Sequence, residues 1–258
     1  MTRKHVFPWH ISNCGDIDIV GHQKPQSLFR TVLWGVAPMT MAVHHPNDHP
    51  EVTSGWGWPE ERASWTFTGY EDTALQVRVF ARGCETAVLM LNGKRVASSP
   101  FQANFTATLP VVYHPGTLKA QCVNDTKVDP SRAAALTTAG AAAALTATPD
   151  RARIKHDRDD LSYVTIAVVD TAGEVVPDTA AVSVAVSVTC PGQLLAIGTG
   201  DPKDPTSLYG GSRTAWRGRL VAIVQPVAGA AAGAVTLTAS AAGLPNVTAV
   251  ITTTEAAA

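Results

Sequence analysis

The sequence predicts a mainly β protein with two immunoglobulin-like β-sandwich domains behind a short helical segment. Three observations support this fold class. Apolar and polar residues alternate in several short stretches, most regularly over residues 182–188. The pair Asn92-Gly93 separates two such stretches, as in a two-residue hairpin. A helical pattern, by contrast, is found only within the first 38 residues.

The helical segment begins at Pro25, because the fixed φ angle of proline suits the first turn of a helix. Its apolar residues follow at helical spacing and are Leu28, Phe29, Val32 and Leu33. So short a helix cannot bury an apolar stripe without a partner. We therefore expect residues 1–38 to pack against a missing domain or another chain, and the protein to be the back part of something larger.

The rest of the chain divides by composition and by pattern. The predicted boundaries are a Pro- and His-rich linker at 39–61, a small sandwich at 62–130, an Ala-rich linker at 131–148 and a C-terminal sandwich at 149–254. Alternation over residues 75–80, and over 88–91 and 94–97 around the Asn-Gly turn, supports the first sandwich. Alternation over 163–168 and 182–188 supports the second. The Ala-rich stretch lacks periodic apolar residues and contains Gly140, so we interpret it as a linker or an edge strand and not as a helix.

The composition excludes several function classes. Twenty basic residues balance 21 acidic ones and form no basic stripe, so no nucleic-acid partner is expected. No stretch is long and apolar enough to cross a membrane, and no signal peptide follows Met1. The four cysteines lack close spacing and predict neither a zinc site nor a disulfide framework. No cofactor is expected, and the compartment is not indicated.

Two pairs of closely spaced carboxylates are candidates for a catalytic pair. Glycoside hydrolysis usually needs two facing carboxyl groups. Asp16 and Asp18 lie two apart in an extended segment and point to opposite faces, so we interpret them as solvated or capping residues. Glu60 and Glu61 are adjacent beside a proline and fit an exposed loop. No residue is therefore predicted to be catalytic.

Other polar motifs favour ordinary loops over sites. His44, His45 and His49 lack the geometry of a metal site, and residues 156–160 lack the spaced oxygen ligands of a calcium loop. Gly198-Thr199-Gly200 opens no helix, so a phosphate cradle is not expected there. No metal is predicted.

An aromatic run is the one candidate for ligand binding. It contains Trp56, Trp58, Trp65, Phe67 and Tyr70. Exposed aromatic faces stack on sugar rings, which makes Trp56 and Trp58 candidate substrate-binding residues. Packing between domains is the competing interpretation of the run.

Several stretches together resemble the C-terminal part of glycoside hydrolase family 2 enzymes, chiefly β-galactosidases. Residues 13–19 (NCGDIDI), 24–27 (KPQS) and Arg30 resemble the segment that leads into the final helix of the catalytic TIM barrel. Residues 54–59 (SGWGWP), 75–79 (LQVRV) and 91–94 (LNGK) resemble the small sandwich behind the barrel. Residues 160–165 (DLSYVT) and 198–202 (GTGDP) resemble the next, invasin- or immunoglobulin-like, sandwich.

The resemblance implies that residues 1–38 are a remnant of the last barrel repeat. The family's two catalytic glutamates lie near the ends of barrel strands four and seven, upstream of anything matched here. The expected function is thus that of an accessory, structural fragment of a β-galactosidase-like hydrolase, inactive alone, with carbohydrate as the substrate of the parent enzyme. The alternatives are a carbohydrate-binding module that uses Trp56 and Trp58, or a purely structural or adhesive sandwich protein.

Overall fold

The computed structural model describes Pro8 and residues 15–46, 60–157, 159–177 and 182–255. Strands dominate it, which confirms the predicted fold class. Residues 15–138 belong to one unit and residues 139–255 to another, and each unit contains its own β-sandwich. Among the described residues, no helix is long and apolar enough to cross a membrane.

The first unit begins with a 3-10 turn, Pro25–Ser27, that continues into helix α1, Leu28–Leu33. Eight strands follow within the described ranges: β1 Met39–His44, β2 Glu61–Arg62, β3 Ala74–Ala81, β4 Thr86–Leu91, β5 Lys94–Pro100, β6 Thr106–Val112, β7 Thr117–Asn124 and β8 Lys127–Thr137. They form two antiparallel sheets in the orders β2-β1-β3-β6 and β5-β4-β7-β8. Apolar side chains of both sheets, such as Val77 and Leu89, share one buried core.

Helix α1 lies where the sequence predicts it, but its apolar stripe has a partner within the same unit. Val32 is buried together with Ala42 of β1 and Phe80 of β3, and Leu28 and Phe29 pack against them. The rings of Phe29 and Phe80 meet edge to face with centroids 5.9 Å apart. Ala42 and Phe80 lie on the outer face of the sheet, because alternate residues of β1 and β3 face the sandwich core. The expectation that this helix cannot bury its stripe without a missing domain is therefore corrected.

The predicted linker at 39–61 also needs correction. Its first six residues are β1, an inner strand that pairs with both β2 and β3. Met39, Met41 and Val43 of β1 point into the core. The prolines and histidines that follow β1 directed the prediction towards a loop, although the apolar alternation of a strand precedes them.

The described residues of the second unit form nine strands: β9 Ala144–Pro149, β10 Arg153–Lys155, β11 Ser162–Val169, β12 Ser183–Val188, β13 Gly192–Gly198, β14 Ser212–Thr214, β15 Arg219–Pro226, β16 Ala234–Ala241 and β17 Leu244–Thr254. One sheet has the order β13-β15-β11-β9 and the other β10-β17-β16-β12-β14. The pair β10 and β17 is parallel, and the remaining described pairs are antiparallel. The core lies between the sheets and includes Ile166, Val184 and Leu237.

Strands β8 and β9, each at the edge of its sheet, occupy most of the Ala-rich stretch at 131–148, as the edge-strand interpretation expects and the linker interpretation does not. Residues 131–137 belong to β8, and β9 begins at Ala144. Ala133, Ala134 and Ala135 are held by their register against β7. These strands are defined by their pairing with a neighbouring strand. An alanine-rich segment lacks the alternation of large apolar and polar residues that would indicate a strand in the sequence.

The Asn92-Gly93 hairpin is confirmed. Both residues have positive φ angles, 51° and 80°, as a type I′ turn between β4 and β5 requires. The Asn92 side chain also fastens the turn to the next loop, because it donates to the carbonyl of Pro115 and accepts from the amide of Thr117. Local turn chemistry thus fixes this part of the fold.

One covalent link was missed. Cys84 and Cys122 form a disulfide, with Cα atoms 5.7 Å apart, that ties the loop before β4 to β7. The two cysteines are 38 positions apart and gave no local signal in the sequence, because strand pairing brings them together. The expectation of no disulfide is therefore wrong.

Candidate functional site

The two candidate sugar-stacking residues, Trp56 and Trp58, lie outside the residues that the structure describes. Other members of the same aromatic run serve the core. Trp65 and Phe67 are almost completely buried, and both contact the ring of Tyr113 edge to face. The indole nitrogen of Trp65 donates to the carbonyl of His114 at 3.0 Å. Trp65 and Phe67 therefore offer no surface to a ligand.

The first carboxylate pair is engaged in local structure. Asp18 accepts backbone hydrogen bonds from Val20 and His22, at 3.0 and 2.9 Å, and so closes a tight turn. Asp16 forms an ion pair with Arg30 of helix α1. Both aspartates thus hold the segment before the helix together.

The second carboxylate pair contains the most unusual titratable group among the described residues. Glu61 of β2 is not in an exposed loop, as the sequence suggests, but is buried on the outer face of the first sheet. Its register partner on β1 is His44, and the Arg78 side chain approaches from β3. Arg78 Nε lies 2.7 Å from Glu61 Oε1, at ion-pair distance but without the alignment of a hydrogen bond.

Burial governs the chemistry of this carboxyl group. Loss of hydration raises the pKa of Glu61 from 4.5 to about 7, because it outweighs the attraction of the Arg78 guanidinium. Neither carboxylate oxygen has a hydrogen-bond partner among the described residues, and the same holds for His44 Nε2. Such a pKa is typical of a general acid. The side chain of Glu61, however, has no exposed surface from which to reach a substrate.

The remaining polar motifs form turns and strand ends. Asp157 accepts from the amides of Asp159 and Asp160, and Asp160 in turn contacts Arg151, which gives the predicted polar turn before β11. His45 makes ring contacts with Phe67 and Tyr70, while His49 is outside the described residues. Within the described ranges, no three His, Cys, Asp or Glu side chains gather closely enough to hold a metal ion.

The loop after Gly198 is organised around a buried arginine that the sequence did not single out. Arg213 of β14 points inward and donates to the carbonyls of Ile197 and Ser207, at 2.8 and 2.9 Å. It also pairs with Asp204 at 2.8 Å and contacts Thr206. We call residues 199–211 the Arg213 loop. Burial alone would raise the pKa of Asp204, but hydrogen bonds from Thr206 and attraction to Arg213 lower it below its usual value.

Large apolar side chains are exposed around helix α1. Trp34 and Val36, just behind the helix, expose 74% and 75% of their surface. Ile17 and Ile19, ahead of it, are exposed as well. We call these four residues the apolar patch. Exposed apolar side chains of this size, gathered in one short segment, are typical of a surface that another part of a protein covers.

Comparison with known proteins identifies the second unit. Residues 145–250, from β9 into β17, match the family model described as glycoside hydrolase family 2 C-terminal domain 5. No curated protein matches the sequence.

Solved structures extend the similarity to nearly the whole chain. A glycosyl hydrolase family 2 member from Bacteroides cellulosilyticus has a TM-score of 0.86 at 30% identity, over 97% of this chain and 33% of that one. A second member, from Bacteroides cellulosilyticus DSM 14838, has a TM-score of 0.81 at 31% identity, over 93% and 32%. A beta-glycosidase from Bacteroides vulgatus, with a TM-score of 0.74 at 21% identity over 93% and 28%, shares the fold.

The chain spans about a third of the length of these structures. The first of these structures matches 97% of this chain, so the similarity extends over both units. The chain therefore corresponds to a C-terminal portion of glycoside hydrolase family 2 members, with the family's C-terminal domain 5 at residues 145–250.

Proposed function

We propose that this chain is the non-catalytic C-terminal portion of an enzyme that hydrolyses β-galactoside-like glycosides, and that its two sandwiches support the catalytic barrel. The observation that carries the proposal is the match of nearly the whole chain to one third of family 2 hydrolases. The β-galactoside preference rests on the resemblance of the sequence motifs.

The chemistry of the described residues supports a non-catalytic role. Hydrolysis by two carboxyl groups requires both of them to reach the same glycosidic bond. Asp16 and Asp18 are engaged with Arg30 and with backbone amides. Glu61 has the pKa of an acid catalyst but is sealed from solvent.

The apolar patch supports contact with an upstream domain. Helix α1 buries its apolar stripe against β1 and β3, whereas Trp34 and Val36, directly after the helix, stay exposed. In the proposed parent enzyme, the patch packs on the rest of the barrel. A carbohydrate-binding module built on Trp56 and Trp58 is the alternative, and no described contact favours it.

The test is a hydrolysis assay of this chain with chromogenic β-galactosides and β-glucuronides. The proposal predicts no turnover above that of a buffer blank. Turnover that co-purifies with the protein and disappears when one of its carboxylates is replaced by an amide would overturn it.

A further inference from the structure

We propose that the Arg213 loop is a carbohydrate-binding subsite in which Tyr209 is the platform for a sugar ring. The choice of a sugar as ligand rests on the proposed function. The location rests on contacts of the second sandwich alone, away from Trp56 and Trp58 in the sequence.

The loop is built as a rigid support. The guanidinium of Arg213 is almost fully buried and bonds to three carbonyls, those of Ile197, Thr206 and Ser207. Its ion pair with Asp204 adds a fourth anchor. A loop held in this way has already lost its conformational entropy before a ligand arrives, and preorganisation of this kind favours binding.

The support presents two large apolar side chains to solvent. Leu208 and Tyr209 expose 51% and 78% of their surface. The backbone beneath them is fixed, because the amide of Ile197 in β13 donates to the carbonyl of Leu208 at 2.8 Å. Apolar side chains that are exposed on a fixed backbone are more typical of a contact surface than those on a disordered loop tip.

The surroundings of Tyr209 favour a sugar over a protein partner. Gly210 follows the tyrosine, and no atom lies within 4 Å of where its Cβ would be, so the backbone beside the tyrosine is open to solvent. The exposed Ser207 hydroxyl accepts a hydrogen bond from the amide of Tyr209 at 3.2 Å. Two adjacent side chains fall far short of the roughly 800 Å² per partner that a stable protein interface buries. An exposed aromatic face of this size matches the apolar face of one pyranose ring.

Trp216, in the hairpin between β14 and β15, is a partly exposed aromatic side chain whose ring already has a partner. The guanidinium of Arg217 stacks on the ring of Trp216, 4.2 Å from its centroid. That ring face is therefore closed to a ligand, in contrast to Tyr209. Tyr163, on strand β11, is exposed as well, but it lies within a strand, paired with Ile223 of β15, and not on a loop held by Arg213.

The test is affinity electrophoresis of the whole chain in native gels that contain soluble β-1,4-galactan, xyloglucan or β-mannan. The wild-type protein should be retarded in at least one gel, and Tyr209→Ala should weaken the retardation roughly fivefold or more, while Tyr209→Phe, which keeps the ring, should retain most of it. Tyr163→Ala is the matched control and should migrate like the wild type. Because the Tyr209 side chain is exposed, Tyr209→Ala should have the melting temperature of the wild type. Equal melting temperatures would show that the variant remains folded.

Two results would overturn the subsite. One is that no polysaccharide retards the wild-type protein. The other is that Tyr209→Ala is retarded as strongly as the wild type, or no more weakly than Tyr163→Ala. Either result leaves the non-catalytic assignment intact, because that assignment is tested by hydrolysis and not by binding.

Discussion

Glu61 shows how far a residue's environment can depart from its sequence context. The pair Glu60-Glu61 beside Pro59 suggests an exposed loop, yet Glu61 faces His44 and Arg78 on a covered sheet face. The burial comes from β1 and from the turn Pro25–Ser27, both distant in sequence. No local pattern therefore predicts it.

The raised pKa makes stability depend on pH in a defined direction. In the unfolded chain Glu61 ionises near pH 4.5, whereas in the folded protein it holds its proton up to about pH 7. The contribution of Glu61 to the free energy of unfolding is fully present below pH 4.5. It is lost as pH rises through 7, and the loss is on the order of 3 kcal/mol. Glu61→Gln should remove this loss, because the amide stays neutral.

Urea unfolding at pH 4.5, 6 and 8 measures the effect. The free energy of unfolding of Glu61→Gln should match that of the wild type at pH 4.5 and exceed it at pH 8 by about 3 kcal/mol. Replacement of the exposed Glu174 by Gln is the charge-matched control and should show no such trend. Parallel pH profiles for Glu61→Gln and the wild type would contradict the buried, protonated carboxyl group.

Gly218 is a position where both backbone and space demand glycine. Its φ is 73°, and a Cβ would lie 2.5 Å from the carbonyl oxygen of Val176. Gly243 has a similar φ of 77° but open space around it. Gly218→Ala should therefore cost about 2 kcal/mol more than Gly243→Ala, since both carry the conformational strain and only the first adds a clash.

Thermal and urea unfolding of the two alanine variants provides the comparison. The difference between them isolates the clash with the backbone of residue 176. Equal destabilisation in the two variants would mean that the close approach of Gly218 to Val176 is not a feature of the fold.

At the scale of elements, local chemistry made some parts of the fold predictable. Asn92-Gly93 requires no distant partner to form its turn, and the alternation over residues 182–188 matches strand β12. Strand β1 was predicted only as part of a linker, and β8 and β9 only as a linker or edge strand without a register. Their positions depend on pairing with β3, β7 and β11, which residue type alone does not encode.

Helix α1 separates two kinds of apolar side chain that look alike in sequence. Val32 is buried with Ala42 and Phe80, whereas Trp34 and Val36 are exposed. Val32→Ala should lower the free energy of unfolding by about 2 kcal/mol, because it leaves a cavity. The double variant Trp34→Ser and Val36→Ser should change it by no more than about 0.5 kcal/mol, because in this chain those side chains pack on little.

Urea unfolding of both variants tests whether the apolar patch is surface or core. A double variant as unstable as Val32→Ala would show that the patch belongs to this unit's own core. The supporting role proposed for it in a larger enzyme would then lose its structural basis.

At the scale of the whole molecule, two sandwiches with separate cores were predictable, and a functional site was not. Repeated strand patterns accumulate over 258 residues into a clear fold class. The two features with the most distinctive chemistry, buried Glu61 and the Arg213 loop, each depend on residues from several elements. Such groupings exist only after folding, so the sequence does not reveal them. The sequence indicated the aromatic run instead, but two of its members, Trp65 and Phe67, belong to the hydrophobic core of the first sandwich.

The absence of catalysis by this chain is the central claim, and steady-state hydrolysis measures it most directly. The purified protein, at micromolar concentration, would be assayed against a panel of nitrophenyl β-glycosides beside an active β-galactosidase as the assay control. The account predicts a rate equal to the blank for every substrate, including at pH values near 7 where Glu61 titrates. A rate that rises in proportion to protein concentration and falls to the blank in Glu61→Gln would contradict it.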